Sequence, residues 1–205
     1  MTDYFWDFDG TLYDTYRGMV KSFVIACTES GFKVESDQVY KSMRRTSLHQ
    51  TFAIFLKNVD FKKKQRIVTR YETVEKSEQT NDRPFKGAAE VCKWVIEQNG
   101  RNFLVTHRNK SALNMLKRDQ FTSLFTGCVT SENNFPRKPN PASLNFLCDQ
   151  YQVDKDNSFM VGDRALDIEA AHKAGIKGIL FDPDDIIFVE TVPDKRIKSL
   201  LKIIV

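Results

Sequence analysis

The sequence has no long apolar run. Nothing in its 205 residues approaches the ~18 continuous apolar residues needed to cross a bilayer, so no membrane partner is expected. No basic segment followed by a long apolar stretch opens the chain, so no secretory leader is expected. Cysteine is scarce. Cys27, Cys92, Cys128 and Cys148 are scattered and never form CxxC. That argues against a zinc site or a disulfide framework, and points to buried thiols in a reducing, cytoplasmic setting. There is no internal repeat and no low-complexity tract. The net charge is only +4 and no nucleic-acid-binding motif is present, so no nucleic-acid partner is expected.

What charge there is lies unevenly. Residues 15–82 hold thirteen Lys/Arg against eight Asp/Glu, a surplus of five. The remainder holds eighteen against nineteen, a deficit of one. Such a basic segment can attract an anion, although Lys62-Lys63-Lys64 reads as a solvated helical surface. That segment also lacks any convincing strand. Patterns over 18–30, 36–43, 48–56 and 62–78 read as consecutive amphipathic helices. Elsewhere short apolar runs at 4–8, 103–106, 126–130, 158–162 and 177–181 read as buried strands. Helical patterns at 88–98, 110–118, 141–151 and 165–174 fall between most of them. Hydrophobic residues make up 41% of the chain, sixteen of them Phe, enough for a sizeable core. The expected fold class is α/β: a parallel sheet core from 1–14 and 83–205, with a helical domain, 15–82, inserted after the first strand.

Ligands of a parallel sheet sit beyond the carboxyl ends of its strands, and the unusual polar residues fall there. Asp7 and Asp9 follow the first strand in WDFDGTLYDT. Thr106 ends the second, in Leu104-Val105-Thr106-His107. Asp163 follows Met160-Val161-Gly162, with Asp167 four residues on, and Lys138 sits in Arg137-Lys138-Pro139-Asn140-Pro141. Aspartates at strand ends can bind a divalent cation, and hard oxygen ligands of this kind suit Mg²⁺, which also accepts phosphate oxygens. The threonine hydroxyl and the lysine ammonium would hold the remaining phosphate oxygens. Alternation along a strand would point Asp7 and Asp9 the same way. Asp14 reads as the N-cap of the next helix.

This arrangement resembles the haloacid dehalogenase-like superfamily over nearly the whole chain. Asp7-Phe8-Asp9-Gly10-Thr11-Leu12 is similar to its first motif, DxDGT[LV]. Val105-Thr106 is similar to the second, Lys138-Pro139 to the third, and Gly162-Asp163-x-x-x-Asp167 to the fourth. The insert resembles the helical cap of subfamily I, in the phosphoglycolate phosphatase and β-phosphoglucomutase branch. The resemblance implies a Rossmann-like core and a small phosphorylated metabolite as substrate; a monomer or weak homodimer is expected. It implies Asp7 as nucleophile and Asp9 as general acid/base. It implies Mg²⁺ held by Asp7, by Asp9 through its main-chain carbonyl, and by Asp163, with Asp167 acting through water or by orienting Lys138. Thr106, the His107 amide and Lys138 would bind the phosphoryl group, and Arg44 or Arg45 of the cap would grip a second anionic group. His107 would touch substrate or merely fill space.

A second acid at Asp9 argues against dehalogenation, since a halide leaves without a proton. The expected activity is Mg²⁺-dependent phosphate-ester hydrolysis through an aspartyl-phosphate. A phosphosugar mutase with the same motifs is the alternative, and a catalytically silent binding or regulatory module is the alternative of another class.

Overall fold

The computed structural model describes residues 1–204. They form two compact units, Met1–Tyr13 with Pro84–Val205, and Asp14–Arg83.

The first unit is built on six parallel strands: β1 (Asp3–Trp6), β2 (Asn102–Val105), β3 (Gly127–Val129), β4 (Ser158–Gly162), β5 (Lys177–Phe181) and β6 (Lys195–Ile197). Their order in the sheet is β3-β2-β1-β4-β5-β6. Numbered along the whole chain, its helices are α5 (Ala88–Glu97), α6 (Ser111–Arg118), α7 (Ala142–Tyr151) and α8 (Ala165–Ala174). Period-2 alternation in β1 sends Tyr4 and Trp6 to one core, with α5 and α6, and Phe5 to the other, with α7 and α8. Both faces of the sheet are therefore dry, and all four residues of β1 are buried. The one indole donor this buries is satisfied: Trp6 Nε1 donates to Asn102 Oδ1 at 2.8 Å, and Asn102 in turn donates to Cys92 O and Leu124 O.

Two sequence expectations change here. β6 was not anticipated, because in Lys195-Arg196-Ile197 only the isoleucine is buried and an edge strand of three residues has too few positions to show a pattern. The first strand was expected to run to Phe8 but ends at Trp6.

The chain runs from β1 outward to β2 and β3, then returns to the other side of β1 as β4. That reversal makes a crevice at the carboxyl ends of β1 and β4, the place where such sheets hold ligands.

The second unit consists of α1 (Tyr16–Glu29), α2 (Ser36–Arg45), α3 (Leu48–Phe55) and α4 (Phe61–Glu78). Phe23 of α1 is its centre, fully buried and in ring contact with Phe52, Phe55 and Tyr71. Ser47 and Asp60 cap α3 and α4 by accepting the Gln50 and Lys63 amides. Thr15, not Asp14, occupies the N-cap position of α1; Asp14 instead pairs with Arg17 at 2.8 Å. Among the described residues no helix is long and apolar enough to cross a membrane.

Candidate active site

Asp7 is the first residue past β1. Its amide donates to Val161 O at 2.9 Å, so the ladder to β4 extends one residue and fixes the carboxylate over the crevice. The chain then turns. Phe8 O accepts the amides of Leu12 and Tyr13, and the Gly10 amide donates to Tyr13 O at 2.8 Å. Gly10 holds φ +76°, a left-handed conformation that costs glycine little. The turn closes by stacking Phe8 on Tyr13, with ring centroids 4.4 Å apart. It is therefore this turn, and not strand alternation, that places Asp9.

Lys138 ties the site together. Its side chain is 1% exposed, and its Nζ lies 2.8 Å from Asp7 Oδ1, 2.7 Å from Asp167 Oδ1 and 2.9 Å from Val105 O. Burial alone would lower its pKa, but the carboxylates of Asp167 and Asp7 override it and hold the ammonium above the ordinary lysine value. Burial pushes the Asp7 carboxyl above the usual carboxylate range, while Lys138 pulls it back. Asp163 completes the group. Asp7, Asp163 and Asp167 are all buried, and one oxygen of each lies within 4.8 Å of the others.

Asp167 reaches this cluster because Gly162 lets α8 start against β4. A Cβ at Gly162 would collide with the Asp167 side chain. The Asp167 carboxylate also accepts the Arg164 amide at 3.1 Å, as an acid in the first turn of a helix does. Of the two ways Asp167 was expected to act, the geometry displays the contact with Lys138.

Three buried carboxylates facing one ammonium leave negative charge in excess, with Arg164 only at 3.9 Å from Asp163. Asp7 Oδ2 is buried and has no hydrogen-bond partner among the described residues. Buried anions in surplus are expensive unless a cation meets them. An all-oxygen donor set with an unmet carboxylate oxygen fits a hard divalent cation.

The loop after β2 supplies the other wall. The Thr106 amide continues the ladder to Val129 O at 3.0 Å, and its hydroxyl accepts the Arg108 amide at 3.1 Å. His107 supports the lysine segment, its Nε2 accepting the Lys138 amide at 2.7 Å. That bond requires a neutral ring. Burial, then the charges of Lys138, Arg137 and Arg164, push the imidazole pKa down to about 2. The sequence leaves Arg108 without an assigned role. Its guanidinium clamps Asp9, with Nε 2.9 and 3.2 Å from Oδ1 and Oδ2 and a terminal nitrogen 2.8 Å from Oδ1. Nothing in THRN announces which acid an arginine will meet.

Asp7, Asp9, Thr106, His107, Lys138, Asp163 and Asp167 thus lie within one unit. Arg44 and Arg45 belong to the other. There Arg44 is buried, its guanidinium 5.4 Å from the Tyr16 ring centre and 5.9 Å from that of Tyr40, and it donates to the Tyr40 hydroxyl at 3.1 Å. Arg45 is exposed.

Known proteins share this architecture. The chain is 46% identical over 57 residues to a D-glycero-beta-D-manno-heptose-1,7-bisphosphate 7-phosphatase of Rhodopseudomonas palustris, covering 27% of this chain and 32% of that one. It is 25% identical over 187 residues to a putative pyrophosphatase of Caldanaerobacter subterraneus, covering 87% and 80%. The chain spans 32% and 50% of the length of two curated relatives it matches, the Rhodopseudomonas phosphatase and an Arabidopsis thaliana haloacid dehalogenase-like hydrolase domain-containing protein. Among solved structures, a hydrolase of Streptococcus pneumoniae superposes with TM-score 0.69 at 33% identity, covering 88% of this chain and 92% of that one. A predicted phosphoglycolate phosphatase of Haemophilus somnus superposes with TM-score 0.82 at 17% identity, covering 100% and 96%, which speaks to fold alone. A sequence profile described as haloacid dehalogenase-like hydrolase matches residues 4–181. Since that span runs from β1 through β5 and encloses every residue gathered around Asp7, the chain belongs to the haloacid dehalogenase-like hydrolase family.

Proposed function

We propose that this protein is a phosphatase of small phosphorylated metabolites that works through a phosphorylated Asp7 and requires Mg²⁺. The observation that carries the reading is the buried Lys138 bridging Asp7 and Asp167, beside an Asp7 oxygen that no protein group meets among the described residues. Asp7, Asp163 and the main-chain carbonyl of Asp9 would hold the cation, with Asp167 behind them. When bound, it neutralises the surplus carboxylate charge and polarises phosphoryl oxygens.

The protein's own groups do the rest. Asp7 attacks phosphorus, forming the Asp7–phosphoryl bond as the bond to the leaving oxygen breaks. Asp9 gives that oxygen its proton, then takes one from the water that attacks the phosphorylated Asp7, which regenerates the carboxylate and releases phosphate. Lys138, the Thr106 hydroxyl and the His107 amide hold the equatorial oxygens as charge spreads over them. His107 fixes the Lys138 main chain from behind.

The test is phosphate release from a panel of phosphate esters with and without Mg²⁺. Parent activity that vanishes in Asp7→Asn, and becomes slow in Asp9→Asn, supports the scheme. Asp7→Asn turning over like the parent refutes it. A hexose 1-phosphate isomerised without phosphate release would replace hydrolysis by mutase chemistry.

A further inference from the structure

The phosphatase chemistry assigns Arg108 no role, yet it is one of the most firmly planted cations in the site. Its amide donates to Thr106 Oγ1 at 3.1 Å and its carbonyl accepts the Ser131 amide at 3.0 Å, so its backbone is fixed at both ends. Its guanidinium lies 5.9 Å from the Phe8 ring centre, within the turn that carries Asp9. Its side chain is 10% exposed and that of Asp9 24%, so the pair is within reach of solvent. Lys138, by contrast, is shut in below, against Asp7 and Asp167.

Asp9 is the group that must meet the leaving oxygen. A cation held on Asp9 therefore stands on the leaving-group side of the phosphorus. Guanidinium prefers a two-pronged partner, and carboxylate or phosphate oxygens suit it equally. An anionic group on the leaving fragment competes with Asp9 for this guanidinium. A neutral fragment leaves Arg108 locked on the very carboxylate that has to reach the ester oxygen. Hydrogen bonds of about 3 Å on each side of Asp9 put the competing anion within roughly two carbon atoms of that oxygen.

We infer that Arg108 is a specificity-determining residue that selects phosphate esters bearing a second anionic group, carboxylate or phosphate, close to the ester oxygen. Resting on the phosphatase reading above, this names the substrate class. On substrate binding the guanidinium exchanges Asp9 for the substrate's anion, and the Asp9 carboxylate turns to the leaving oxygen.

The experiment uses the full chain with Mg²⁺ and two matched ester pairs: phosphoglycolate against ethyl phosphate, and ethane-1,2-diol bisphosphate against 2-hydroxyethyl phosphate. The anionic member of at least one pair is preferred by roughly 10- to 100-fold in kcat/KM, the usual worth of a charge-assisted contact. The pair that shows it tells carboxylate from phosphate. In Arg108→Gln that ratio collapses toward one, mostly through KM, while Arg108→Lys keeps part of it as a point charge. A ratio near one in the parent protein overturns the inference without needing any variant, as does equal loss on both members in Arg108→Gln, or no turnover of any of the four esters. Turnover by Asp7→Asn would instead sink the phosphatase scheme.

Discussion

Replacing Lys138 by Met exposes how much the site leans on one cation. The ammonium lies 2.8 and 2.7 Å from two carboxylates. At an effective dielectric of ~20, each pair is worth about 6 kcal/mol of Coulomb energy, most of it offset by desolvation. Methionine fills similar space but leaves Asp7 and Asp167 buried and facing each other. Breaking a buried pair in this way costs about 3–5 kcal/mol. For a chain of this size that is a fall in Tm of about 6–20 °C. Trp6 and Trp94 are the only tryptophans, and both lie in the α/β unit, so intrinsic fluorescence during urea unfolding reports that unit alone. Measurements belong in EDTA, so that no added metal compensates. Adding Asp167→Asn to Lys138→Met removes one of the stranded charges and should recover at least half of the loss. A single variant within 1 kcal/mol of the parent, or a double variant less stable than the single, would refute the argument that Lys138 holds these anions in place.

Other outcomes follow from the same geometry. His107 stays neutral in the folded protein, with a pKa of about 2, while an unfolded histidine titrates near 6.5. The unfolded state therefore binds the extra proton as pH falls below about 6.5, and stability drops toward pH 2 by at most ~1.4 kcal/mol per unit, or ~2 kcal/mol between pH 6.5 and 5. His107→Gln, whose amide carbonyl still accepts the Lys138 amide, should lack that component when the two pH–stability curves are subtracted; coincident curves would contradict the neutral ring. Gly162→Ala should cost about 1–3 kcal/mol and most of the activity, because the new Cβ displaces Asp167; an active variant with unchanged Tm would count against it. Mg²⁺ at 100 times its Kd should raise stability by about 2.7 kcal/mol, read as a Tm gain in the absence of substrate, and Asp163→Asn should abolish that gain.

The local rules were strong where the sequence repeats them. Residues 158–162, 177–181 and 165–174 form β4, β5 and α8 as their apolar patterns predict, because burial of both sheet faces leaves near-continuous apolar runs and Gly175 stops α8 in a left-handed conformation. The helical run from α1 to α4 was equally legible. Weaker signals failed for physical reasons. β6 has one buried apolar side chain and takes its place only because β5 offers an open edge. Thr15 displaced Asp14 at the cap of α1, where an ion pair with Arg17 competes for the aspartate.

Residue types and their order along the chain determined that strand ends would carry acids, a threonine and a lysine, and hence what chemistry they suit. They could not determine partners. Crossing from β3 back to β4 beside β1 is what brings Asp163 to Asp7, residues 156 positions apart in sequence. Whether Lys138 meets Asp7 and Asp167, whether His107 holds a lysine amide, and which carboxylate Arg108 clamps depend on distances of a few ångströms between loops that sequence spacing does not encode. Periodicity reports which face of an element is buried; only the packed sheet decides which charges that burial forces together.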